Sequence, residues 1–219
     1  MEERLRSRLE RSLGGTPAGG ARSRTPNAAR PPLLLSAHIL FRRSLRYAQR
    51  ELPEARIDRD ALEAASFALM LPFTVEITKA SSMGVMSLSD RCLQAADLLL
   101  GAIGSQAPED LLDRATRILV ECPRKGTALA EARVLADAIN IEDFGVGGIC
   151  RSAALLIRPG GPLSQLTDAY EKRDQYGYWE ARLKDSFHFN STRELAESRL
   201  SSARDCLQTL IGELQEDLA

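Results

Sequence analysis

Histidine is nearly absent, with two in 219 residues, His38 and His188. A centre that needs three imidazoles therefore cannot be built within one chain. The four cysteines, Cys92, Cys122, Cys150 and Cys206, include no close pair. That spacing argues against a zinc motif and against a dense disulfide framework, and fits small apolar core groups. Aromatic residues make up 5% of the chain, too few for a row of base-stacking platforms, so nucleic acid is a disfavoured partner. No apolar run approaches the roughly 20 residues needed to cross a bilayer. The longest, "LLLSAHILF", is far shorter. No apolar stretch follows the charged N-terminus, so a secretory signal is not expected and the cytoplasm is the expected location. Lysine is scarce too, supplying only four of the 29 basic residues. An arginine-rich chain suits phosphate or carboxylate recognition, although surface composition alone accounts for it as well.

What remains is dominated by the helical period. Residues 1–13 place Leu5, Leu9 and Leu13 on one stripe of a charged helix. Residues 14–32 are rich in Gly, Pro, Ala and Arg and read as a flexible linker. Residues 1–32 carry seven Arg against three Glu, giving +4; with −1 for the whole chain, the other 187 residues sum to −5. A basic extension on an acidic body could bind an anionic partner, or the body itself, or simply aid solubility.

From residue 33 the sequence predicts an all-α domain. Phe41, Leu45, Ala48 and Leu52 stripe a first helix that Pro53 ends. Asp58 caps a second, running through Met70 and stopped by Pro72, and "FTVEITKA" (73–80) reads as a lone strand. Ser87 or Ser89 caps a third helix, and Pro108 opens a fourth that ends near Glu121. Residues 127–157 read as helix with a break near the glycines, and "RPGGP" (158–162) as a turn. Two long helices follow, the second opened by a capping box of Ser191 and Glu194.

The segment "VLADAINIEDFGVGGICRSA" (134–153) gathers three acids and three glycines. Asp137 and Glu142 lie about 140° apart on a helical wheel, a poor arrangement for one metal. Gly145, Gly147 and Gly148 follow a helical stretch with no Lys-Ser/Thr after them, so helix packing or a helix break suits them better than a phosphate loop. Cys150 sits among mostly apolar neighbours, Ser81 and Ser82 have no evident base, and His188 in "FHF" fits a partly buried, packed imidazole.

The order "AHILFRRSLRYAQREL", "DRDALEAASFALML", "EARVLADAINIEDFGVGGICRSA" and "YWEARLKDSFHFNSTRELAESRL" resembles an HD-domain phosphohydrolase of the small bacterial type, over roughly residues 36–205. The resemblance implies a helical bundle in which two His and two Asp hold a divalent metal that activates water against a phosphate ester. Carried over residue by residue, the first His falls on His38. The His-Asp pair falls on Leu69 and Met70, and the last Asp on Ile139. Three of the four ligand positions thus lack a hard donor, which implies a metal site packed over with core side chains and no metal or other cofactor. Asp137 and Asn140 remain as polar remnants of that motif.

Three functions follow as expectations. The first is a catalytically inactive HD-like protein that binds a protein partner or a second copy of itself. The second is a non-hydrolytic sensor of a nucleotide or phosphate ligand, with Arg42, Arg46 and Arg50 at four-residue spacing as the anion-binding row; a solvated helix face explains the same row. The third is a metal-dependent phosphohydrolase with a relocated site drawn from His38, Glu121, Asp137 and Glu142.

Overall fold

The computed structural model describes residues 37–79, 87–103, 107–156 and 162–216, and for 71–79, 102–103 and 154–156 the backbone alone. The amphipathic stripe of Leu5, Leu9 and Leu13, the linker, Ser81 and Ser82, and most of the 158–162 turn lie outside these residues.

All the regular structure among the described residues is helical, with no strand. α1 (Ala37–Glu51) buries Leu40, Phe41, Ser44, Tyr47 and Ala48 on one face. α2 (Arg59–Lys79) begins where Asp58 Oδ1 accepts the Ala61 N–H at 3.1 Å, the cap its sequence predicts. The expected stop at Pro72 and strand over 73–80 are corrected: α2 runs through Pro72 to Lys79. A proline removes one intrahelical hydrogen bond, whereas a solitary strand would leave a whole row of backbone groups without partners.

α3 (Leu88–Ile103) is capped by Ser87, whose Oγ accepts the Asp90 N–H at 3.1 Å and donates to the Asp90 carboxylate at 2.7 Å. α4 (Glu109–Glu121) follows Pro108, whose carbonyl accepts the Leu112 N–H. α5 (Ala130–Asn140) is enclosed from Val134 to Asn140. These five helices share one core, in which α2 packs on α1, α3 and α4, and α5 lies against α1. Its side chains are mostly Ala, Leu, Ile and Cys, including Cys92 and Cys122. Each fully buried Leu or Ile contributes about 1.5–3 kcal/mol of transfer free energy.

A 3₁₀ turn (Ile141–Asp143) and the break at Phe144–Gly145 lead into α6 (Val146–Leu156). Gly145 has φ +88°, a left-handed conformation that suits glycine. At Gly148 an added Cβ would lie 2.4 Å from the Asp143 carbonyl oxygen. Gly145 therefore serves the turn and Gly148 a close backbone approach, while nothing crowds Gly147. α7 (Ser164–Gln175), α8 (Tyr178–Asp185) and α9 (Asn190–Glu216) complete the chain.

The expected pair of long helices is thus three, because Gly177 at φ +63° breaks the first of them. The expected capping box is also corrected. Ser191 lies within α9, and its hydroxyl donates to Glu51 while accepting from Arg50 at 2.7 Å, so it ties α9 to the end of α1.

The second core is aromatic. Trp179 meets Phe144 edge-on at 5.4 Å and Tyr170 stacked at 5.5 Å, while Phe144 meets Phe187 at 5.4 Å. Leu200, Ala203 and Leu207 of α9 close it.

Candidate functional site

Leu69, Met70 and Ile139 are buried in the five-helix core, on α2 and α5. His38 is half-buried on α1, which packs against both helices, and its Nδ1 is buried without a hydrogen-bond partner among the described residues. A single imidazole, with hydrocarbon and thioether side chains at the other three positions, does not fit a divalent metal, which needs several hard donors. Among the described residues no group of three or more His, Cys, Asp or Glu is placed to hold a metal ion.

The acids of the 134–153 segment have protein partners. Glu142 pairs with Arg43 of α1 and Arg151 of α6. Asp143 pairs with Arg182 of α8 and lies 3.8 Å from Arg151. Arg43 also donates to the Ala138 carbonyl at 3.1 Å. This partly buried ion network ties α1, α5, α6 and α8 together. Glu121 pairs with Arg124, one turn away. The proposed relocated set of His38, Glu121, Asp137 and Glu142 is not brought together as a cluster.

Asp137 is fully buried, and its carboxylate accepts the backbone N–H groups of His188 at 2.8 Å and Phe189 at 3.2 Å. It thereby anchors the residues that lead into α9. Burial pushes its pKa up to about 6, against the pull of those two donated bonds. Asn140 donates to the Ser186 carbonyl at 2.7 Å and accepts from Arg182 at 3.2 Å. Asp137 and Asn140 thus both hold the α8–α9 connection in place.

That connection is where "FHF" acquires a physical reading. Phe187 enters the aromatic core and Phe189 enters the five-helix core under the Arg133 guanidinium. His188, between them, is half-buried and lines a cleft of about 220 Å³. One wall is the first turn of α3, at Leu88 and Ser89, and another is Cys122, Pro123 and Lys125 after α4. The rest comes from α5 and from α8 with its following loop. Lys125 Nζ donates to the Lys184 carbonyl at 2.9 Å and to Asp185 at 3.1 Å. Burial and then the charges of Arg133 and Lys125 lower the His188 pKa from its ordinary value, so the neutral imidazole is favoured.

Arg42 and Arg46 are exposed on α1, and Arg50 is engaged with Glu51, Ser191 and the Tyr47 ring. None of the three lines this cleft. The sequence reading missed Lys125, Arg182 and His188 as a group because they lie on three separate segments and share no motif. It also missed Glu131, a fully buried acid that accepts two bonds from Arg114 at 3.1 Å and the Asp58 N–H at 2.8 Å.

None of the described helices is long and apolar enough to cross a membrane. Compared with known protein families, curated proteins and solved structures, the chain matches none.

Proposed function

We propose that the protein is an HD-like helical bundle without a hydrolytic metal centre, acting by binding a protein partner or a second copy of itself. One observation carries the reading: Leu69, Met70 and Ile139 lie buried in one apolar core at the positions where the resemblance requires ligands. Leu and Ile have no lone pair and Met offers only a soft thioether, so these positions do not suit a hard metal that activates water. The acids nearby are committed to arginines and backbone amides, which supports the same reading. Light scattering on the full chain and affinity capture with a tagged full chain test the binding role. Self-association, or a partner that survives stringent washing, is the expected result. Metal analysis and a generic phosphodiester assay test the rest. Stoichiometric Mn, Fe or Zn together with turnover overturns the proposal.

A second reading, a non-hydrolytic phosphate sensor, is favoured by the cleft beside His188, where Lys125 and Arg182 bring two positive charges to a polar recess. A thermal-shift screen with phosphate compounds separates the two readings, since a ligand specific to the folded state raises the melting temperature.

A further inference from the structure

The cleft is built from five parts of the chain, and its polar groups are partly uncommitted. Lys125 has three donors, of which two are used, on the Lys184 carbonyl and on Asp185. Arg182 is oriented by Asn140 and Asp143, and its Nε–H is buried without an acceptor among the described residues. Neither ring nitrogen of His188 has a hydrogen-bond partner among the described residues. The wall at Leu88 and Ser89 opens a 16-residue helix whose first backbone N–H groups lack intrahelical acceptors; Ser87 takes that of Asp90, whose carboxylate lies in the same turn.

The formal charges on the lining are Lys125 and Arg182 against Asp185, which is exposed at the rim. The titratable and charged groups around the His188 imidazole are Lys125, Arg133, Asp137, Arg182 with its partner Asp143, Asp185 and Cys122. Asp137 faces the backbone of His188, and each of its oxygens already accepts one backbone amide. The charges of Arg133 and Lys125 bear on the imidazole and disfavour its protonated form, and a bound anion would relieve that effect. A volume of about 220 Å³ lies below the roughly 300–1,000 Å³ of ordinary small-molecule pockets. It suits a phosphate with a few carbon atoms better than a nucleotide.

We propose that this cleft binds a small dianionic phosphate ester, held by Lys125, Arg182 and the first turn of α3, with His188 gaining a proton as the anion enters. The proposal rests on the sensing reading above and places it in a different part of the molecule from the Arg42, Arg46 and Arg50 row. An anion beside the imidazole stabilises its charged form, so binding and protonation favour each other.

The test titrates the full chain with glycerol phosphate, inorganic sulfate and adenosine monophosphate while following imidazole NMR resonances. The chain has only two histidines, and His188→Gln assigns them. Glycerol phosphate is expected to saturate, to move the His188 signals and not those of His38, and to raise the titration midpoint of His188. Lys125→Gln, at an exposed side chain, is expected to weaken binding at least about tenfold. Arg42→Gln is expected to bind as the unaltered protein does, and an equal loss there would return the anion site to α1. Sulfate keeps its two charges across neutral pH, so its binding should tighten as the pH falls through the His188 midpoint. Sulfate binding that ignores pH removes the role given to His188. No movement of His188 with glycerol phosphate up to about 10 mM, a weak ligand by any standard, overturns the cleft. If adenosine monophosphate binds and leaves His188 unmoved, phosphate sensing stands elsewhere and this site falls. Silence from all three anions overturns both.

Discussion

The two cores of this chain are stabilised differently. The five-helix core is built from small and aliphatic side chains, with Ala61, Ala65, Ala68, Ala95, Ala115 and Ala138 letting helices approach closely. The second core is smaller and depends on a few large rings, Phe144, Tyr170, Trp179 and Phe187, with Arg173 over three aromatic faces. Many small contacts spread a loss over several helices, whereas a ring cluster concentrates it in one side chain. The joints between them are polar or alternating: the Arg43–Glu142–Arg151 network, Asp137 on the His188 and Phe189 amides, and the two phenylalanines of "FHF" pointing into opposite cores.

Substitutions should sharpen that contrast. Trp179→Ala is expected to cost about 3–5 kcal/mol and to abolish the near-ultraviolet signal of the second core, while helical circular dichroism from α1–α5 persists. Loss of both signals in one transition would merge the two cores into a single cooperative unit. Leu69→Ala should cost about 2–5 kcal/mol, read by denaturant unfolding. A value below about 1 kcal/mol would mean that the core around Leu69 is loosely filled, against the packed-over reading.

Asp137 gives a pH signature. Its pKa is about 6 in the folded protein against an ordinary 3.8. Between those values the folded state binds more protons than the unfolded one, so stability falls as the pH rises through the window and levels off above it. Relative to Asp137→Asn, the unaltered protein should lose up to about 3 kcal/mol across that interval, measured by chemical unfolding at several pH values. A difference that stays constant with pH would place the titration elsewhere. The smallest effect is expected for Glu142→Ala, about 1–2 kcal/mol at a partly buried network. Its dependence on salt in melting experiments would distinguish an ionic joint from a packing one.

Helix starts were the most legible part of the fold. Asp58 and Ser87 cap as their sequence context predicts, because a short polar side chain at a helix start acts locally. The 73–80 reading as a strand failed because β-branched residues give only a weak preference, overridden when no partner strand exists to pair with. The capping box at Ser191 and Glu194 failed because Ser191 was claimed by Glu51, 140 residues away, a contact no local pattern encodes. The same limit applies to the site. Asp137 and Asn140 could be marked from one segment, since a motif resemblance singles them out. Lys125, Arg182 and His188 could not, because only the fold brings α8 and its loop against the end of α4. Glu131 was hidden for a related reason: an acid in the first turn of a helix reads as a solvated dipole partner until Arg114 and the Asp58 amide are seen around it.

The single tryptophan of the chain lies in the smaller core, against Tyr170 and below the Arg173 guanidinium. Its emission therefore reports on one half of the molecule alone, with no label attached. Wavelength and quencher access of that one fluorophore, compared with the backbone signal of the whole chain, would time the opening of each half separately.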